Sequence, residues 1–94
     1  MKTYRLDGSR IGSKPAFYAE IGRAVNGDGG YFGSNLDALA DCLRGGFGTP
    51  DDGGFRFVIS SYRQAKAAIG EDMWTTLVHI FTNEGVDLWL KSGG

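Results

Sequence analysis

A chain of 94 residues with a formal net charge of −1 has room for one hydrophobic core, because a domain of this size buries only about two-thirds of the surface its unfolded form exposes. Leu, Ile, Val and Phe supply 22 residues and Gly plus Pro supply 18, which excludes a disordered tail at one extreme and a low-complexity segment at the other. No apolar run approaches the roughly 18–20 residues of a membrane span, the first seven residues hold no apolar signal-peptide core, and a lone cysteine makes neither an internal disulfide nor a CxxC metal site. The expectation is a single soluble domain over residues 1–94, folded in a reducing compartment.

Lys2 to Leu6 alternates polar and apolar residues and is followed by Asp7-Gly8, which predicts a short strand and a turn. Ser13-Lys14-Pro15 opens a helix with a hydroxyl cap and a first-turn proline. Phe17, Ile21, Ala24 and Val25 give that helix one apolar face, and Asn26-Gly27-Asp28-Gly29-Gly30 stops it. A second helix is expected from Ser34, whose spacing to Asp37 is that of a capping box. Its inward stripe is Leu36, Leu39, Ala40 and Leu43, and Arg44 followed by Gly45-Gly46 ends it. Residues 45–54 read as a loop. Phe55 to Ile59 is a strand whose second half is apolar on both faces, as suits a central, covered position. Ser60 or Ser61 caps a short helix through Ala68, closed by Gly70. Glu71 to about Asn83 is a longer helix ended by Gly85, and Val86 to Leu90 is the last strand. Strands separated by helices imply parallel pairing through right-handed crossovers, hence an α/β fold with a three-stranded parallel sheet and four helices.

Charge is unevenly spread along this order. Residues 1–25 sum to +3, residues 26–54 to −4, and residues 55–94 to zero. The acidic middle third argues for a basic partner and against nucleic acid. Within it, Asp37 and Asp41 are four residues apart on one helix, roughly 120° from the centre of the expected stripe. Like charges at that spacing repel, so a helix selected for stability alone would not carry the pair. Tyr31-Phe32-Gly33 precedes the helix, and adjacent aromatics predict one side chain in the core and one facing out.

The remaining chemistry-bearing residues form no constellation. Gly27 to Gly33 lacks the GxxxxGK[ST] pattern of a phosphate loop. His79 has no second His or Cys to share a metal, and Cys42 on the flank of the apolar stripe reads as a small core residue. Asp51-Asp52 offers too few ligands for a cation, and no serine has GxSxG flanks.

The run Tyr31-Phe32-Gly33-Ser34-Asn35-Leu36-Asp37-Ala38-Leu39-Ala40-Asp41-Cys42-Leu43 closely resembles the signature of the barstar family, intracellular protein inhibitors of secreted bacterial ribonucleases. The family pattern is aromatic-aromatic-Gly-x-Asn-Leu-Asp-Ala-Leu-x-Asp, and the size and element order agree along the rest. The resemblance implies a cytoplasmic inhibitor with three parallel strands and four helices, whose second helix and preceding loop plug an enzyme's active site in a 1:1 complex. It implies that Asp41 enters the RNA-phosphate site and meets catalytic arginines and histidine, while Asp37 pairs with a neighbouring basic residue. Tyr31 would pack on the catalytic histidine, Asn35 would support the loop through hydrogen bonds, and Gly45 and Gly46 would allow close backbone approach.

The chain departs from the pattern in several places. Ala40 stands where the family has Trp, the aromatic after the helix-ending glycine is displaced to Phe47, and the loop to Phe55 is longer. The last helix is shorter, with the family's acidic residue aligning at Asn83 or Glu84, and Val86 replaces a second cysteine. The expected partner surface is thus Tyr31, Phe32, Gly33, Asn35, Asp37, Ala40, Asp41, Arg44, Gly45, Gly46, Phe47, Asn83 and Glu84. No catalytic residue, metal, cofactor, nucleic acid or membrane is expected, and self-association is left open. Carboxylates held on a helix can satisfy clustered Arg, Lys and His as a phosphate does. Two alternatives stand beside this reading: a small hydrolase using Asp37 and Asp41 as a carboxylate pair or metal site, and a barstar-like module for another basic protein.

Overall fold

The alternating segment at the start does form a strand, β1 (Lys2–Asp7), and the remaining elements follow in the expected order: α1 (Lys14–Asn26), α2 (Leu36–Arg44), β2 (Phe55–Ser60), α3 (Tyr62–Ile69), α4 (Glu71–Asn83) and β3 (Asp87–Leu90). The computed structural model describes residues 1–50 and 52–93; Asp51, one half of the acidic loop pair, lies outside them. Both pairings are parallel, with β2 between β1 and β3. The described residues thus form a three-stranded parallel sheet with four α-helices, the α/β class read from the sequence. No helix among them is long and apolar enough to cross a membrane.

The register aligns Tyr4 with Phe57 and Leu6 with Ile59, placing these side chains on one face of the sheet. That face joins Phe17 and Ile21 of α1, Leu39 and Leu43 of α2, and Leu77 and Phe81 of α4 in a continuous core. Phe57 is its hub, with the rings of Tyr4, Phe81, Phe32 and Phe55 centred 5.2, 5.3, 5.9 and 6.0 Å away. Such tilted and edge-on aromatic pairs add about 0.5–1.5 kcal/mol each beyond the area they bury. The opposite face of β2 is only partly as expected. Val58 is buried there, between Arg5 and Trp89 in the register. Its neighbours are long side chains: the Arg56 guanidinium sits 4.2 Å over the Trp89 ring.

Some helix ends follow local signals, and at others tertiary contacts take over. Ser13 caps α1 through its hydroxyl, which accepts from the Ala16 amide at 3.2 Å. The turn after β1 becomes a single 3-10 turn, Gly8–Arg10, held by Asp7 Oδ1 accepting from the Ser9 amide at 3.0 Å. A Cβ on Gly8 would overlap the carbonyl oxygens of Ser60 and Ser61, so only glycine lets the turn lie against the end of β2. Ser61 does not cap α3 as expected: its backbone is left-handed (φ 49°) and its hydroxyl makes no cap bond. The α3 entry is satisfied from afar instead, with the Ser61 and Tyr62 amides donating to Gly93 O and Lys91 O at 2.9 and 3.1 Å.

Glu20 of α1 is buried, and its carboxylate ties α1 to the end of β1. It accepts from the Asp7 amide at 2.7 Å and from Arg23 Nε and Nη2 at 2.8 and 2.6 Å. Burial alone pushes this carboxyl up. The Arg23 hydrogen bonds, the Asp7 amide and the charges of Arg23 and Arg10 outweigh it, so the net position is below the ordinary glutamate value. A carboxylate held down in the fold contributes stability above its unfolded pKa, about 4.3, and loses that contribution as pH falls through the folded value. Glu20→Gln is therefore expected to cost about 1.5–3 kcal/mol at pH 7, with the gap from wild type closing in acid. Urea titrations at pH 7 and near pH 3 check this.

Candidate protein-binding surface

The buried stripe of α2 is Leu39, Cys42 and Leu43, while Leu36 and Ala40 are half-buried. The stripe is thus rotated toward Cys42 relative to the expected Leu36-Leu39-Ala40-Leu43 set, because the small thiol fits the core; burial pushes its pKa up, and the Asp41 charge adds to that. The rotation has a functional consequence. At 100° per residue it turns Asp37 and Asp41 roughly 160° away from the core, so both carboxylates stand exposed on the outermost face.

Asn35, not Ser34, caps this helix: its Oδ1 accepts from the Ala38 amide at 2.8 Å. The Ser34–Asp37 capping box is therefore not formed. Asn outranks or equals Ser at this position. Phe32 is fully buried against Phe57, whereas Tyr31 is 52% exposed; one aromatic points in and its neighbour out, as expected. Gly33 is buried with φ +98°, and a Cβ there would press on the Leu39 backbone 2.9 Å away. Only glycine lets the loop lie this close to the first turn of α2.

At the other end of α2, Gly45 and Gly46 have φ of 133° and 86°, and a Cβ on either would meet open space. The chain then brings Phe47, 43% exposed, to within 6.3 Å of the Tyr31 ring. The residue that joins these loops is Asn26 at the end of α1, whose Nδ2 donates to both Tyr31 O and Phe47 O at 2.8 Å. In the sequence Asn26 reads as a helix stop, and nothing local distinguishes a terminating asparagine from one that staples two loops 5 and 21 residues away.

Arg44 links α2 to the end of α4. Its Nη1 donates to Asp41 Oδ1 at 2.7 Å, and its Nε and Nη2 form a bidentate pair with Glu84 at 3.0 Å each. Of the two candidates at that end of α4, Glu84 is the one drawn into this network; Asn83 is exposed. Both members of the Asp41–Arg44 pair are largely solvent-exposed, and exposed pairs of this sort add little net stability. Asp37 borders a shallow groove with Lys14, Tyr18 and Met73 that does not include Asp41. His79 is exposed, Cys42 is buried, and no three His, Cys, Asp or Glu residues cluster among the described residues. Asp52 is turned to its own loop, accepting from the Gly54 amide at 3.0 Å.

These features define a small α/β protein that presents an acidic helix, flanked by two exposed aromatics, on an outer face. A family model described as Barstar (barnase inhibitor) matches residues 1–91, and the chain belongs to the barstar family. A search among curated proteins finds no match.

Proposed function

We propose that this protein inhibits a small secreted guanyl-preferring microbial ribonuclease by occluding its active site in a 1:1 complex inside the producing cell, and that it carries out no chemistry of its own. The observation that carries the reading is the outward placement of Asp37 and Asp41 on the α2 face opposite the core; membership of the barstar family supports a ribonuclease as the partner for that face.

In this reading Asp41 occupies the position of the RNA phosphate. Enzyme arginines replace or join Arg44 on its carboxylate, and the exposed Asp41–Arg44 pair is given up at little cost. Asp37 meets a neighbouring basic group. Tyr31 and Phe47 form an aromatic ledge against the enzyme, with Phe47 standing in for the aromatic that the family places earlier. Phe32 and Gly33 act from beneath by fixing the loop, Asn35 holds the first turn of α2 as its cap, and Ala40 leaves room where the family has Trp. Gly45 and Gly46 present bare backbone beside the helix end, and Glu84 and Asn83 extend the rim. The acidic patch also steers a basic enzyme, with association reaching about 10⁸–10⁹ M⁻¹s⁻¹ at low salt in pairs of this kind, for which the family's own ribonuclease complex is a reference case.

An equimolar amount of the protein is expected to abolish RNA hydrolysis by a ribonuclease of this class, and high salt is expected to slow association more than dissociation. Undiminished hydrolysis across a panel of such enzymes overturns the ribonuclease assignment. In that case, binding to a different basic protein would keep only the surface.

A further inference from the structure

We infer that β3 is a self-recognition edge, through which two copies of this chain pair β3 with β3 antiparallel about a two-fold axis at Trp89. The two sheets then join into one of six strands.

The Lys91 amide donates to Ile59 O at 3.0 Å, and β3 is aligned with β2 from Arg56↔Asp87 to Ile59↔Leu90. In a parallel ladder, alternate residues turn their amide and carbonyl to the same neighbour. Asp87, Trp89 and Lys91 therefore face β2, and Leu88 and Leu90 turn theirs to the outer edge. That edge is a template for another strand.

The sequence of the strand is complementary to itself in one register. With the axis at Trp89, Leu88 exchanges both backbone hydrogen bonds with Leu90 of the second copy, and Leu90 with its Leu88. Trp89 falls opposite Trp89 in the non-hydrogen-bonded position, where side chains approach most closely. Asp87 falls opposite Lys91 of the second copy, twice by symmetry. Sliding the pair by two residues in either direction sets Trp89 against a charged residue and loses both Asp–Lys pairs. A shift by one turns inward-facing backbone groups to the partner.

The edge is also dressed for contact. Trp89 and Leu90 are 52% and 40% exposed, and the Arg56 guanidinium 4.2 Å over the indole fixes the ring at the sheet margin. On the helix side, Val78 and Thr82 of α4 with Val86, Leu88 and Leu90 line a groove of about 320 Å³. Leu88 and Leu90 of the second copy project into it. A contact this small lies at the low end of interface sizes, so the dimer is weak and concentration-dependent. The α2 surface takes no part.

Sedimentation equilibrium of the full chain between about 10 µM and 1 mM tests this. The wild-type mass is expected to rise from one chain toward two, and the Leu88 and Leu90 amides to gain hydrogen-exchange protection over the same range. Asp87→Lys and Lys91→Asp are each expected to stay monomeric alone, with melting temperatures near wild type, while an equimolar mixture of the two associates. A wild-type monomer at 1 mM overturns the inference. So does a dimer that persists in both single variants, which would seat the second copy on another surface.

Discussion

Asp41→Ala is expected to weaken binding to the target ribonuclease by more than about 2 kcal/mol, roughly 30-fold in Kd, while leaving the fold intact. Binding and folding draw on this carboxylate differently. In the free protein the carboxylate makes one exposed pair, with Arg44, and exposed pairs contribute little to folding. In the complex it would be desolvated among arginines, where charge-assisted bidentate hydrogen bonds are strongest and where removing one partner leaves the other's charge unpaired. Thermal melts and calorimetric titration of the same variant separate the two. A Kd unchanged within twofold would remove Asp41 from the phosphate site.

Phe32→Ala is expected to have the largest effect on the fold of any change in the site's neighbourhood. The ring is fully buried and lies 5.9 Å from Phe57, the centre of the aromatic cluster. Truncating a buried Phe costs about 3–5 kcal/mol, out of roughly 5–15 for a typical domain. At about 4–8 °C per kcal/mol for a chain of this size, the melting temperature falls by at least about 12 °C. Tyr31→Ala, one residue away but half exposed, is expected to move it by only a few degrees. Melting curves for the pair check the contrast, and equal shifts would mean that Phe32 does not anchor the loop.

The difference between Tyr31 and Phe32 also shows what can be read from order along the chain. That one of the two faces inward follows from adjacency; which one does is decided by Phe57, 25 positions on, and by a glycine that lets the loop lie against α2. The seven elements were legible because their apolar periods are local. The α2 signature made the acidic face legible too, although the stripe was placed too far toward Leu36 and Ala40. Cys42 reads as a core residue in the sequence, but its pull on the rotation of the helix shows only in the packed structure. Caps are less legible: Ser13 caps α1 as its position predicts, while Asn35 takes the place of Ser34 at α2 and the carbonyls of Lys91 and Gly93 replace a Ser61 hydroxyl cap at α3. What was hidden is long-range and polar. The Asn26 staple and the Arg44–Glu84 pair, 40 residues apart, leave no mark on periodicity or spacing, because a polar side chain at a helix end satisfies local rules whether or not it reaches a distant loop.

The claim that α2 stands in for the RNA phosphate is tested most directly by competition. A guanosine nucleotide bearing a 3′-phosphate, bound in the active site of the inhibited ribonuclease, is expected to be displaced stoichiometrically by this protein, with the apparent Kd of the protein rising in proportion to nucleotide concentration. A ternary complex, with nucleotide still bound and the protein's affinity unchanged, would contradict it.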